Sequence, residues 1–325
     1  MAKLDALDHV PLTWARAPHD AGFLNVGDAL SPVIAAALSG CPIKPVASRS
    51  PHRRIAAIGT IAHALRGGPV HLWGTGLDRT IAPDGGSDGW SPPSRTRFTV
   101  HATRGPFTEA ALATHGIAVP RRYGDPGYLV PRLWPTANAD KRWPLGVVLH
   151  LSELATRGGA PSVKPAYRRY TVPPEWQGRV RLISMDAPAD LGGIGNKIRE
   201  IAACERILST SLHGLVIADA YDIPSAWFGF HASGAHSISL FDPEALIDHR
   251  MRDLYAGLGL AHVPVFSTPR HQTTDWGGAI DALDSLAPSG FDPSALVAAF
   301  PGPKADYATA QVWPIPQVQL EGIAL

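Results

Sequence analysis

The sequence has little cysteine and almost no excess of charge. Its two cysteines, Cys41 and Cys204, lie far apart among 325 residues. This spacing argues against a disulfide framework or a cysteine-rich zinc site, and it favours a reducing compartment. Lysine and arginine number 29 against 28 acidic residues. The net charge of +1 argues against a nucleic-acid-binding protein, because such proteins usually carry a basic surface.

Long apolar runs are also missing from the N-terminal region. The longest one near the start, residues 33–38, is too short to cross a bilayer. Residues 1–14 contain no charged segment followed by an apolar run, so we expect no signal peptide. These features predict a cytoplasmic protein.

The composition is that of a globular protein with a substantial core. Apolar residues make up 45% of the chain and charged residues 18%. The length fits two packed units of ordinary size. The 32 glycines and 31 prolines indicate many turns between short elements.

Short apolar runs alternate with helix-like segments along most of the chain. The predicted strands are residues 54–58, 70–73, 98–101, 145–149, 180–183, 206–208 and 225–228. The predicted helices are residues 29–38, 61–65, 106–115, 194–203, 212–221, 279–286 and 293–300. This alternation is typical of βαβ units around a parallel sheet, so the predicted fold class is α/β.

The alternation is interrupted once, by a proline-rich segment without periodicity at residues 131–144, which we interpret as a linker. We therefore predict two Rossmann-like domains that face each other across a cleft. The first covers residues 1–138, and the second covers residues 139–275 and carries a Ser-Leu-His motif. Residues 276–325 form C-terminal helices and an irregular tail.

The most informative motif joins a predicted strand to the helix at residues 212–221. Ser209, Thr210 and Ser211 fill the turn, and His213 lies in the first helical turn. A helix N-terminus offers unpaired N–H groups and partial positive charge, which suits an anion at the carboxyl edge of a parallel sheet. Alternatively, the hydroxyl groups only cap the helix and His213 packs nearby.

Arg104 lies between a predicted strand and a helix that begins at Pro106. A guanidinium at a strand end can bind a phosphate or carboxylate through two parallel hydrogen bonds. The alternative is a surface arginine paired with a neighbouring acid.

Glycine and small polar residues follow the other predicted strands. Each could either line a ligand site or only form a turn or helix cap. Asp125 could fix its turn or orient Arg104. The candidates in this group are Asn25, Gly27, Asp28, Gly59, Thr60, Gly74, Thr75 and Asp125.

Three patterns that could suggest other functional sites are not interpreted as such. Residues 192–197 lack the spacing of a phosphate-binding P-loop, and we interpret them as a loop that leads into a helix. Ser209 and Ser211 lack the G-x-S-x-G context of a hydrolase. No histidine pair has metal-ligand spacing supported by a carboxylate, so we predict no metal.

Taken in order, these motifs resemble those of the polysaccharide pyruvyl transferase family, particularly the members that modify exopolysaccharides such as succinoglycan. The resemblance covers about residues 22–230. It is carried by Asn25-x-Gly27-Asp28, Gly59-Thr60, Gly74-Thr75-Gly76, Thr103-Arg104-Gly105-Pro106-x-Thr108, Gly124-Asp125-Pro126, Ser209-Thr210-Ser211-Leu212-His213-Gly214 and Ile223-Pro224-Ser225.

The resemblance implies a glycosyltransferase-B-like fold with phosphoenolpyruvate as donor and no cofactor. It implies that His213 is the general acid/base and that Arg104 binds the donor's anionic groups. The implied acceptor is a lipid-linked oligosaccharide or polysaccharide, with peripheral contact at the inner face of the membrane. Many relatives have arginine where this chain has Ser211, so a second cation must come from elsewhere, or hydroxyl groups and the helix N-terminus replace it.

Two other functions remain open from the sequence. A nucleotide-sugar glycosyltransferase would use the same architecture. A non-catalytic glycan-binding protein would use aromatic side chains such as Trp134, Trp143 and Trp176, although packing is the alternative for each.

We predict that His213→Ala lowers turnover about a hundredfold or more and leaves donor binding detectable. General acid/base catalysis typically accelerates a reaction by roughly this factor. Arg104→Ala should first raise the donor KM. Steady-state kinetics of both variants measure this, and near-normal kinetics in both would refute the site.

Overall fold

The computed structural model describes residues 4–17, 22–83, 86, 89–135 and 140–325. They form a mixed α/β fold with two largely parallel sheets, which confirms the predicted fold class. The sheets follow one another along the chain, and helices and irregular segments pack against them.

The first sheet has the strand order β3-β1-β4-β5-β6, and every neighbouring pair in it is parallel. Its strands β1 and β4 are short and fully buried, as expected for strands covered on both faces. The strands of this part of the chain are β1 Val10–Thr13, β2 Phe23–Asn25, β3 Ile43–Pro45, β4 Arg54–Ala56, β5 Gly68–Trp73 and β6 Thr96–Ala102.

The second sheet has the order β10-β7-β12-β13-β15-β14, and only its edge strand β14 is antiparallel. β8 and β9 form a separate small ladder, and β11 pairs with β2. The strands here are β7 Leu145–Leu149, β8 Leu154–Thr156, β9 Ser162–Val163, β10 Val180–Ser184, β11 Asp186–Pro188, β12 Ile207–Ser209, β13 Ser225–Gly229, β14 Gly234–Ser239 and β15 His262–Ser267.

Local signals in the sequence set several helix boundaries. Asn25 caps the first helix, which ends at Gly40 in the left-handed region, and Pro106 opens the second. The helices are α1 Val26–Ser39, α2 Pro106–Ala113, α3 Val130–Leu133, α4 Leu191–Ala202, α5 Leu212–Ala220, α6 His249–Gly257, α7 Trp276–Asp284 and α8 Ser294–Ala299.

The two sheets share buried apolar packing through α1. One core cluster contains Leu12 and Ile55 from the first sheet, Val148 and Ile183 from the second, and nearly the whole of α1. The ladder between β2 and β11 adds backbone hydrogen bonds between the two parts of the chain. The proposed boundaries at residues 138 and 275 stay predictions.

Two local predictions were wrong, those for residues 192–197 and 61–65. Residues 192–197 lie inside α4 rather than in a loop, because the Asp190 carboxylate caps this helix by accepting from the Gly193 N–H. Residues 61–65 form only a short 3-10 turn, Ala62–Ala64. The interpreted linker contains most of α3, and its Trp134 is buried at 8% exposure, so packing explains that residue. Residues 136–139 lie outside the described part.

Asp253 on α6 connects the second half of the chain to the start of α2. Its Oδ1 accepts from the N–H groups of Phe107 and Thr108, each at 3.0 Å, and its Oδ2 accepts from the Thr108 hydroxyl at 2.6 Å. Its Oδ2 also lies 3.5 Å from Arg104 Nε. Asp253 thus satisfies donors at a helix N-terminus and faces a buried cation.

We predict that Asp253→Ala lowers the free energy of unfolding by about 3–5 kcal/mol, because removing one partner of a buried ion pair leaves the other charge uncompensated. Urea unfolding followed by circular dichroism measures this. Asp281→Ala on α7, an exposed position, is the control and should change the value by less than about 0.5 kcal/mol. Equal unfolding curves for the two variants would contradict the prediction.

Candidate active site

His213 lies in the first turn of α5, directly after strand β12. The turn before it is held by Ser209, whose hydroxyl donates to the Ser211 carbonyl at 2.7 Å and accepts from the Ser211 N–H at 3.0 Å. His213 is 8% exposed. The imidazole is therefore held at the carboxyl edge of the second sheet, where open α/β folds bind ligands.

Asp125 faces this imidazole. Its Oδ2 lies 3.7 Å from His213 Nε2, and its Oδ1 accepts from the Gly127 N–H at 2.8 Å. Neither Asp125 Oδ2 nor His213 Nε2 has a hydrogen-bond partner among the described residues, although both atoms are buried. A carboxylate beside a histidine is the arrangement that orients a general base and stabilises its protonated form. Asp125 fixes its turn, which was one of the two alternatives from the sequence. Its contact with His213 was not expected from the sequence.

The capped start of α1, Asn25 to Asp28, packs directly on the other side of the imidazole. Asn25 Oδ1 accepts from the Gly27 N–H at 3.0 Å, and its Nδ2 donates to Asp28 Oδ2 at 3.0 Å. A Cβ atom added at Gly27 would lie 2.1 Å from His213 Nδ1. Only glycine therefore allows this close approach. Burial raises the pKa of Asp28, against the opposing attraction of His213 and the hydrogen bond from Asn25.

Arg104 is completely buried beneath the end of the first sheet. Its Nη1 donates to the Thr60 hydroxyl at 2.7 Å, its Nη2 lies against Gly76, and Nε faces Asp253. Burial lowers its pKa, and the Asp253 and Asp125 carboxylates oppose this effect. Within the described ranges, Nε and Nη2 have no hydrogen-bond partner. Arg104 is thus a buried cation with spare donors, and neither an exposed arginine nor one bound to a surface acid.

The ends of β4 and β5 are held together beside the site by Gly59, Gly74 and Thr75. Gly74 has φ +83°, and a Cβ there would lie 2.3 Å from Pro126 Cδ, so the residue keeps the strand end close to the turn that contains Asp125. The Thr75 hydroxyl donates to the Gly59 carbonyl at 2.8 Å. Gly59 itself lies beside Asp28.

Two of the three hydroxyl groups near His213, those of Ser209 and Thr210, are bonded within the protein. The Thr210 hydroxyl accepts from the His150 N–H at 2.7 Å and donates to Glu153 Oε2. The Ser211 side chain makes no capping hydrogen bond in the part of the chain described here. Ser209 is fully buried in its own turn. The contacts of Ser209 therefore agree with the alternative that this residue only holds its turn.

Two residues that the sequence did not single out lie close by. Arg250, in the first turn of α6, interacts electrostatically with Asp28, and its guanidinium binds Asp248. His150 follows β7 and contacts Arg250. No short motif marks them, because neither lies beside a previously identified motif residue in sequence. The only usable signal is their position after apolar runs.

The polysaccharide pyruvyl transferase family model matches residues 51–231, more than half of the chain. The chain belongs to the polysaccharide pyruvyl transferase family. The match includes Arg104, Asp125 and His213, whereas the start of α1 at Asn25 to Asp28 lies before it. Membership in this pyruvyl transferase family identifies the protein as a transferase and relates it to polysaccharide pyruvylation.

Two further comparisons add no functional detail to the pyruvyl transferase assignment. No curated protein matches the chain. Among solved structures, the glycosyltransferase SnogD from Streptomyces nogalater is similar over 83% of this chain and 72% of that chain, with 14% identity and a TM-score of 0.28.

Among the described residues, no helix has both the length and the apolar character needed to cross a membrane. In the same residues, no group of three or more His, Cys, Asp or Glu side chains is arranged to hold a metal ion.

We predict that Gly27→Ala lowers the kcat of pyruvyl transfer by about a hundredfold, because the new methyl group displaces the His213 imidazole. A displacement of about 1 Å in a catalytic group can lower the rate by this factor. Steady-state kinetics and the imidazole resonances of His213 measure the effect.

The matched control is Gly277→Ala on α7, where an added Cβ meets its nearest neighbour at 3.5 Å, an ordinary contact. It should retain wild-type kinetics. A Gly27→Ala variant with normal kcat and an unshifted His213 resonance would show that the close contact does not position the ring.

Proposed function

We propose that this protein transfers the pyruvyl group of phosphoenolpyruvate to a sugar of a bacterial exopolysaccharide repeat unit and forms a cyclic pyruvate ketal. The observation that carries the proposal is the buried pair of His213 and Asp125 beside the buried Arg104, within the matched family region. The pair supplies acid/base chemistry, and Arg104 supplies fixed positive charge.

The reaction needs both of these elements. Protonation of the donor's methylene carbon creates positive charge at C2, which one sugar hydroxyl attacks with loss of its proton. The bond from C2 to the phosphate oxygen then breaks, and a second hydroxyl of the same sugar attacks C2 to close the ketal. Of the two hydroxyl protons, one replaces the proton given to the methyl carbon and the other leaves with the phosphate.

His213 is the group we assign to these proton transfers. Histidine ordinarily titrates near neutral pH, so it can both give and accept a proton there. Asp125, with its unpartnered Oδ2 toward the ring, stabilises the protonated imidazole. Arg104, whose Nε and Nη2 have no partner within the described ranges, stabilises the donor's negative charge either directly or through its field. No cofactor or metal enters this scheme.

The acceptor in this proposal is a lipid-linked oligosaccharide or polysaccharide at the inner face of the cytoplasmic membrane, reached by peripheral contact. The alternative reaction, glycosyl transfer from a nucleotide sugar, releases a nucleoside diphosphate instead of phosphate. Purified protein should therefore release phosphate from phosphoenolpyruvate only when an acceptor is present. Mass spectrometry of the acceptor should show the ketal, and release of nucleoside diphosphate from a nucleotide sugar would favour the alternative.

We predict that Asp125→Asn lowers kcat at least tenfold and leaves the KM for phosphoenolpyruvate nearly unchanged, because the amide keeps the hydrogen bond to Gly127 but cannot stabilise the imidazolium. Asp292→Asn is the control, since Asp292 Oδ1 accepts from the Ser294 N–H in an equivalent turn outside the site. Similar kcat values for the two variants would remove Asp125 from the mechanism.

A further inference from the structure

A pocket of about 420 Å³ opens at the carboxyl ends of β7, β12 and β13. Of its lining residues, only Thr210 was among the sequence candidates. The lining residues that matter for its chemistry are His150, Thr210, Phe230, Asp248, Arg250 and Arg270. Parallel sheets bind ligands at this edge, so its polar groups are candidates for ligand contacts.

The hydrogen bonds of His150 determine which of its ring nitrogens carries the proton. The Ser152 backbone N–H donates to His150 Nδ1 at 3.3 Å, and the Ser152 hydroxyl lies 2.8 Å from the same atom. Since a backbone N–H can only donate, Nδ1 is an acceptor. Burial and the neighbouring Arg250 lower the pKa of His150, which favours the neutral ring. Its single N–H is therefore at Nε2.

Arg250 places a second N–H donor next to His150 Nε2. Its Nε and Nη2 bind the Asp248 carboxylate, with an Nη2–Oδ2 distance of 2.6 Å. The remaining Nη1 lies 3.4 Å from His150 Nε2. Two N–H groups thus lie close together, and an oxygen atom about 2.9 Å from each nitrogen, to one side of the line that joins them, would accept from both.

The carboxylates around the pocket are already engaged in other bonds. Glu153 Oε2 accepts from Thr210, from Tyr170 and from the His150 N–H. Asp248 is held by Arg250 and also accepts from the Arg250 backbone N–H at 2.8 Å. Arg270 adds an exposed positive charge to the pocket lining.

The pocket adjoins the proposed catalytic residues. Arg250 interacts electrostatically with Asp28, which itself interacts with His213. Arg104 and Arg250 also influence one another. Ser211, beside His213, carries no charge, so a second cation for a donor with two anionic groups has to come from another element.

The geometry points to an anion-binding subsite in which Arg250 Nη1 and His150 Nε2 together bind a phosphate or carboxylate oxygen of the donor. This inference rests on the proposed function for the identity of the donor, whereas the subsite itself rests on the adjacent N–H groups of Arg250 and His150. Asp248 positions Arg250 for this contact.

The test uses the full chain and the variant Arg250→Gln. Hydrogen bonds to charged groups are strong, so we expect the KM for phosphoenolpyruvate to rise roughly tenfold to hundredfold. Inhibition by inorganic phosphate or by pyruvate should weaken to a similar extent, and whichever of the two is affected shows which donor group occupies the subsite. Arg252→Gln, two residues further along α6, is the control and should behave as wild type, since Arg252 donates to the Ala245 carbonyl.

A second measurement does not depend on the folding of Arg250→Gln. Addition of inorganic phosphate or pyruvate to the wild-type protein should shift one imidazole ¹⁵N resonance that is absent from His150→Gln. If the wild type releases no phosphate from phosphoenolpyruvate but this resonance shifts, the proposed function fails and the subsite stands. If turnover is normal but neither anion shifts the resonance, and Arg250→Gln matches Arg252→Gln, the subsite is refuted and the function stands.

Discussion

The buried guanidinium of Arg104 is the constraint that most of the site depends on. A charge without contact to water is costly unless it is paired and hydrogen-bonded. Asp253 supplies the paired charge and Thr60 the hydrogen bond, so the end of the first sheet and α6 must stay together. Because α6 also carries Arg250, the position of one cation fixes the position of the other.

Elements with strong local signals were predictable from the sequence. Strand β7 matches its predicted residues 145–149, and α5 begins at Leu212 as expected after three hydroxyl residues. The start of α1 was predicted three residues late, although Asn25 and Gly27 lie at its N-terminus. These elements follow from apolar runs and caps, which act over a few residues.

Contacts between distant residues were not predictable. Asp253 caps α2 across more than 140 positions in sequence, and His150 meets Arg250 across 100. The residues next to each of these side chains in sequence do not indicate which distant residue it contacts. The same limit applies to Asp125, for which the sequence suggested Arg104 as a partner but not the contact with His213.

The short ladder between β2 and β11 has a consequence for how the Gly27 backbone is held against His213. Asn25 pairs with Asp186 of the second half, although it lies before all the strands of the first sheet except β1. The residues around Gly27 are therefore attached to the same half as His213. The close contact between Gly27 and His213 is therefore anchored by backbone hydrogen bonds to the second half, while α1 continues from the same backbone into the apolar core that both sheets share.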